Sequence, residues 1–150
     1  MNEATAELQR IWHTEIPISA AMDIRIHSYA NDVIEVHAAL APNVNVHGTA
    51  FAGSLYAIAA LTGWGLTWLE LHKRGLDGHI VIAEGAIRYV RPVEGEIVAR
   101  CRFDPAAHTA PFAKLASTGK CRFALECDVG SGAAVFSGQY AVRAHPTIAL

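Results

Sequence analysis

Apolar and polar positions divide this chain into two kinds of stretch. Between Ala50 and Leu69 no charged residue occurs, and apolar side chains fall on every side of a helix drawn through the segment. A helix apolar all round must be buried all round, by lipid or by protein wrapped about it. Most of the remainder alternates apolar and polar residues with a period of two, the signature of strands with one buried face.

Taken in order, the pattern predicts a short helix over residues 4–14, with Leu8, Ile11 and Trp12 at helical spacing, closed by Pro17. A strand over 22–27, a turn at Ala30-Asn31-Asp32 and a strand over 33–40 form a first hairpin. Pro42 ends it. The long helix runs over 49–73, with Thr49 the candidate N-cap and Gly75 the stop behind Lys73-Arg74. Strands follow at 79–91, at 96–103, at 119–129 and at 133–143. Gly85 marks a bend or bulge in the first of these, and Pro92 with Gly95 marks the turn after it. In the third, Cys121, Phe123, Leu125, Cys127 and Val129 face inward. Residues 104–118 read as a long connection with Pro105, Pro111 and one helical turn over 112–117, and a connection of that length is often functional. Four strands able to pair in sequence, after a hairpin and a buried helix, predict an α+β fold. An antiparallel sheet of five to six strands wraps around one long central helix.

The uncharged stretch is long enough to span a bilayer. Gly53, Ser54, Thr62, Gly63, Gly65 and several alanines dilute it, no basic cluster precedes it, and the rest of the chain reads as strands. A protein-wrapped helix is therefore expected, with no membrane partner. The 150 residues suit a single domain over 1–150. Hydrophobic residues make up 52% and charged residues 17%, more apolar surface than a monomer hides easily, so a homodimer or dimer of dimers is expected. A net charge of -2 without a basic run argues against nucleic acid. Residues 1–15 lack the pattern of a signal peptide. Cys101, Cys121 and Cys127, odd in number and without a Cys-x-x-Cys pair, read as reduced core thiols in a cytoplasmic protein. The eight histidines show no His-x-x-x-His or Cys/His ligand spacing.

Asn45-Val46-His47-Gly48-Thr49-Ala50-Phe51, then Gly53-Ser54-Leu55-Tyr56, Gly63-Trp64-Gly65, and Ile87-Arg88-Tyr89-Val90-Arg91-Pro92-Val93 with Gly95, resemble the hotdog fold. The likeness is to the thioesterase-like group typified by the C-terminal domain of YiiD, and it covers nearly the whole chain. It implies dimers whose sheets join side by side, sites at the dimer interface, and acyl thioesters of coenzyme A or acyl carrier protein as substrates. It also implies no metal or bound cofactor.

Thioester hydrolysis needs a carbonyl polariser and an activated water. A helix start supplies backbone donors, and Gly48 and Thr49 are the candidate oxyanion donors, with Gly48 allowing close approach. Asn45 orients a water or the thioester, or serves only the turn; Asn43 reads as turn chemistry as well. His47 donates to the substrate or braces the helix start. Related hotdog thioesterases with a His-Gly-Gly motif carry an acid nine residues beyond the histidine; here that position is Tyr56, and the buried part of the helix carries no acid. The substitute is Glu84, in an apolar strand centre. It reads either as a half-buried general base meeting Asn45 and His47, from its own or the partner subunit, or as an exposed residue paired with Arg88. Ser54 and Tyr56 are candidates to line the acyl pocket, or plain helix packing. Arg88 and Arg91 are candidate phosphate contacts, alongside Arg100, Arg102, Lys114 and Lys120, or solvated surface charges. A non-catalytic acyl-CoA-binding protein stays open. A hotdog dehydratase lacks its His-Phe-Pro-Gly or Asp-x-Asn-Pro-x-His phrase here.

Overall fold

A computed structural model describes residues 2–145. Helix α1 (Glu3–Glu15) is capped by Asn2, whose side-chain oxygen accepts from the Thr5 amide, and α2 (Pro17–Ala21) opens on a proline. Strands β1 (Ile24–Ala30) and β2 (Val33–Ala38) form the expected hairpin. A 3₁₀ turn (Ala41–Asn43) and a loop lead into α3 (Ala52–Lys73). Then come β3 (Gly78–Tyr89), β4 (Ile97–Arg102), α4 (Pro105–Thr118), β5 (Lys120–Val129) and β6 (Ala134–Ala144). All strand pairs are antiparallel, in one six-stranded sheet of order β1-β2-β4-β5-β6-β3.

The sheet wraps α3 as the apolar pattern requires. Ile58, Leu66 and Leu69 are buried against the strands, while Leu8 and Trp12 of α1 close the opposite side. Two glycines make the close approaches. A Cβ at Gly63 would overlap the Tyr140 phenol, which donates to the Ala60 carbonyl at 2.7 Å, and one at Gly65 would overlap the Trp12 ring. Among the described residues no helix is long and apolar enough to cross a membrane. The three cysteines are free and buried in this core.

Three expectations are corrected. First, the four later strands do not all pair in sequence: β4, β5 and β6 do, but β3 crosses to the far edge beside β6 and leaves β4 to join β2. The segment after β3 is no tight turn. Val90 donates to the Ala133 carbonyl at 2.8 Å, and the buried Val93 accepts from the Ala50 amide at 2.8 Å, so the chain is drawn away from its own strand. Second, residues 105–118 form a full helix. Asp104 caps it, accepting from Ala106 at 3.0 Å, and Gly119 ends it at φ +76. Pro111 costs this helix about 3 kcal/mol. Burial of Phe112 and Leu115 offsets that cost, as does His108, whose Nδ1 accepts from the Asp104 amide and whose Nε2 donates to the Ala124 carbonyl. Third, α3 starts at Ala52, with Phe51 rather than Thr49 at the cap position.

The sheet has two edges, treated differently. Along β1, Gln9 of α1 accepts from the Ile26 amide at 2.6 Å and donates to the Ile24 carbonyl at 3.2 Å, so α1 caps that edge. Along β3 no element covers the edge among the described residues, and Val81, Ile82, Tyr89 and Val90 stand exposed there.

Candidate functional site

The loop over 43–51 is built by its two asparagines. Asn43 is buried, donating from Nδ2 to the carbonyls of Met22 and Ala39, both at 2.8 Å, while its own carbonyl accepts from the Phe51 amide at 2.7 Å. Asn45 accepts at Oδ1 from the amides of His47 (2.9 Å) and Thr49 (3.1 Å), and its Nδ2 donates to Thr49 Oγ1 (2.9 Å) and the Ala50 carbonyl (3.3 Å). Gly48 turns the loop at φ +79, and its amide returns to the Asn45 carbonyl at 3.1 Å.

These bonds move the donors expected at Gly48 and Thr49. Both amides are already spent inside the loop, so neither is free to meet an oxyanion. Asn45 is likewise fully engaged and acts as the loop's brace. The free donors come one turn later: the amides of Ala52, Gly53 and Ser54 have no partner among the described residues, because the first helical bond is from Leu55 to Phe51 at 3.1 Å. They carry the positive end of a 22-residue helix.

A groove of about 370 Å³ opens beside this helix start. Asn45, His47 and Thr49 line one side, Ala52 and Leu55 the floor, and Tyr89 to Val93 the other side. The His47 ring is exposed and makes no hydrogen bond among the described residues. Tyr89, which the sequence did not single out, donates to the Ala52 carbonyl at 2.8 Å, joining the end of β3 to the first turn of α3. Burial, with the neighbouring Tyr56 second, pushes the Tyr89 phenol above its usual pKa. Arg91 reaches the groove, but its guanidinium donates to the carbonyls of Gly130 (2.9 Å) and Ser131 (2.6 Å). No carboxylate lines this groove among the described residues.

The other candidates fall outside it. Arg88 is exposed on the outer sheet face. Ser54 is buried within α3, and Tyr56 packs edge-on against Phe136 at 5.1 Å with its hydroxyl against Gly85. Glu84 is not half-buried, and within one subunit it does not meet Asn45 and His47. Its side chain is 74% exposed and pairs at 2.7 Å with Arg122 on β5, not with Arg88. The cause is a bulge. The register of β3 with β6 shifts between Ile82 and Glu84, so Ile82 and Gly85 face α3 while Glu84 faces out. A continuous alternation would have placed Glu84 beside Ile80 and Ile82.

The buried part of α3 does hold an acid, against expectation. Glu70 is fully buried, accepting from the Tyr29 hydroxyl and paired with Arg74, whose guanidinium lies 4.9 Å and 4.7 Å from the ring centres of Phe103 and Phe112. It sits eighteen residues beyond Ala52, about 27 Å along the helix, and cannot serve the groove in its own subunit. A larger concavity of about 500 Å³ lies on the outer face and is basic, lined by His79, Lys114, Lys120, Arg122 and Arg143.

Comparison with known proteins places this architecture. The family described as "Putative thioesterase (yiiD_Cterm)" matches residues 5–144. A solved "putative thioesterase" from Shewanella oneidensis is 37% identical, covering 95% of this chain and 99% of that one, with a TM-score of 0.85. A Chlorobaculum tepidum TLS protein of unknown function is 30% identical over 94% of each chain, with a TM-score of 0.89. A thioesterase from Haemophilus influenzae, 13% identical over 100% of this chain and 97% of its own, shares the fold alone at a TM-score of 0.71. The sheet wrapped on one helix is the hotdog fold.

Proposed function

The chain belongs to the YiiD C-terminal thioesterase-like family, and from that premise we propose that it hydrolyses acyl thioesters of coenzyme A or acyl carrier protein in the groove at the start of α3. The observation that carries this reading is the start of α3, whose Ala52, Gly53 and Ser54 amides have no partner among the described residues and whose Ala52 lines the groove together with His47. The thioester carbonyl oxygen points to that helix start, where donors stand before charge develops. His47 takes a proton from water as its oxygen attacks the carbonyl carbon. The C–S bond then breaks, and the proton passes to the leaving thiolate. Leu55, Val90 and Val93 form the apolar wall for the acyl chain.

The site is completed between two copies. The uncovered β3 edge with its exposed apolar residues favours antiparallel pairing with a second β3. Such pairing sets the Gly78 end of one strand beside the Tyr89 end of the other. The partner's contribution then comes from its helix-bearing side and the shared edge, where Phe51, Ile82 and Tyr89 are exposed.

One observation favours a second reading, a protein that binds acyl thioesters without cleaving them: the groove lacks a carboxylate. Thiol release from a panel of acyl-CoAs separates the two. Hydrolysis is expected, with His47→Ala lowering kcat by about 10² to 10⁴-fold and Glu84→Gln leaving it near wild type. Saturable acyl-CoA binding with no thiol release on any chain length would establish the binder and overturn the enzyme reading.

A further inference from the structure

We propose that His27, Glu35 and His37, on the outer face of the β1–β2 hairpin, form a binding site for a divalent transition-metal cation of the Zn²⁺ class. This site is independent of the groove and of the thioesterase reading. One ligand atom from each of the three residues lies within 4.8 Å of the others. Glu35 Oε1 is 2.7 Å from His37 Nε2 and 3.8 Å from His27 Nε2. Ligands at about 2.0–2.1 Å from a tetrahedral metal stand roughly 3.3 Å apart, so the two distances bracket what a cation needs.

The surroundings are those of a built site. His37 Nδ1 lies 2.9 Å from Glu96 Oε1, so that nitrogen carries the proton and donates it to the carboxylate. This is the outer-shell arrangement that fixes a metal-binding imidazole, and it turns Nε2 toward Glu35, where a metal would displace the proton that joins the two in its absence. A lone pair and a carboxylate oxygen at 2.7 Å repel unless a cation, proton or metal, lies between them. The second Glu35 oxygen is held by Arg100 at 2.7 Å, which aims the first at the histidines. With neutral imidazoles, Glu35, Glu96 and Arg100 sum to one negative charge, which a cation relieves.

Local backbone geometry brings the third ligand in. The register of β1 with β2 shifts between Ile26 and Ser28, making His27 the bulged residue, and bulges re-aim side chains. Its ring stacks on His37 with centres 4.2 Å apart and planes 8° apart. A metal in the plane of both rings requires that stack to open, and His27, exposed on its outer side, is free to swing. Two histidines and one carboxylate leave coordination positions open to water or an anion. The donor set suits Zn²⁺, Cu²⁺ or Ni²⁺ over Mg²⁺ or Ca²⁺. The ligands come from two strands, which is why their linear spacing shows no motif.

The test is calorimetric titration of the whole protein with Zn²⁺ alone, repeated with Co²⁺ to read tetrahedral ligand-field absorption. One Zn²⁺ per chain is expected. His27→Ala and His37→Ala should abolish it, and Glu96→Gln, which acts through His37, should weaken it by about 10 to 100-fold. Circular dichroism should show all three folded, since none of these side chains is in the core. His145→Ala, on a second surface cluster with His79 and Asp77, should leave binding unchanged. Absence of Zn²⁺ binding, or binding that survives His37→Ala and falls with His145→Ala, overturns the proposal. In the first case the cation between His37 and Glu35 is a proton only.

Discussion

Replacing Glu70 by alanine separates the structural end of the central helix from its chemical end. The Glu70 carboxylate is fully buried, bonded to the Tyr29 hydroxyl and paired with Arg74. Its removal leaves the Arg74 guanidinium among Phe103 and Phe112 without a counter-charge, and the half-buried Tyr29 hydroxyl without an acceptor. Arg74 keeps contact with water, its side chain 30% exposed, so the loss is mainly that of the hydroxyl left without its acceptor, about 1–3 kcal/mol. For a domain of this size 1 kcal/mol moves Tm by roughly 2–4 °C, so Tm should fall by roughly 2–12 °C. Thermal melts followed by circular dichroism measure this. Adding Tyr29→Phe to Glu70→Ala should recover most of the loss, because the hydroxyl left without an acceptor is then removed as well. Below its melting range Glu70→Ala should retain kcat within a few-fold, because the groove lies about 27 Å away along the helix. A Tm shift under about 2 °C would show that the pair contributes little. A loss of kcat at unchanged Tm would make Glu70 the missing acid and refute its structural assignment.

Two further outcomes follow from the same structure. Ile82→Glu places a charge in the uncovered β3 edge, and light scattering should then show a 16.1 kDa monomer while wild type stays larger; a monomeric wild type would remove the shared edge. In alkali, burial holds the phenols of Tyr140 and Tyr29 neutral well above their usual pKa, with Glu70 adding to the effect at Tyr29. Their stabilising contribution is present below pH about 10, where free tyrosine also stays neutral, and is lost as pH rises through the raised folded values. Phenolate absorbance from Tyr29 and Tyr140 should therefore appear only with loss of ellipticity, and ionisation in a still-folded protein would contradict the burial argument.

Much of this fold was legible because its signals are local and periodic. The uncharged run from Ala50 to Leu69 marked a helix buried all round, and its diluting small residues favoured protein over lipid; the β5 alternation set Cys121, Phe123 and Leu125 inward as found. The misses share a cause: one residue changed the phase or hid a local rule. The bulge before Glu84 turned that side chain from the core to Arg122, and the bulge at His27 set it over His37. Pro111 masked a helix that Asp104 and Pro105 had announced in plain capping chemistry. Strand order depends on where the segment after β3 is tied, through Ala50 and Val93, and such long-range bonds leave no period in a sequence. At the candidate site, Asn45 makes four hydrogen bonds within its loop, the turn use the sequence also allowed. The backbone donors expected at Gly48 and Thr49 lie instead at Ala52 to Ser54, because the helix begins three residues after Thr49.

Sheet geometry decides what a second copy could add to the groove. Two identical strands that pair antiparallel are related by a two-fold axis perpendicular to the sheet. Rotation about that axis keeps each face on its own side, so the helix-bearing faces of both copies stay together. Glu84 points to the opposite face, with Arg122, and its copy in the partner does the same. A β3 pairing therefore cannot carry Glu84 into a groove floored by Ala52 and Leu55 of α3. The partner's contributions must come from the helix side and the edge, where Phe51, Ile82 and Tyr89 are exposed. These are apolar or phenolic groups, suited to enclosing an acyl chain and excluding water rather than to moving a proton. On the proposed reading, proton transfer then falls to His47, the titratable side chain that lines the groove without a partner among the described residues, and a β3 pairing leaves Glu84 outside it.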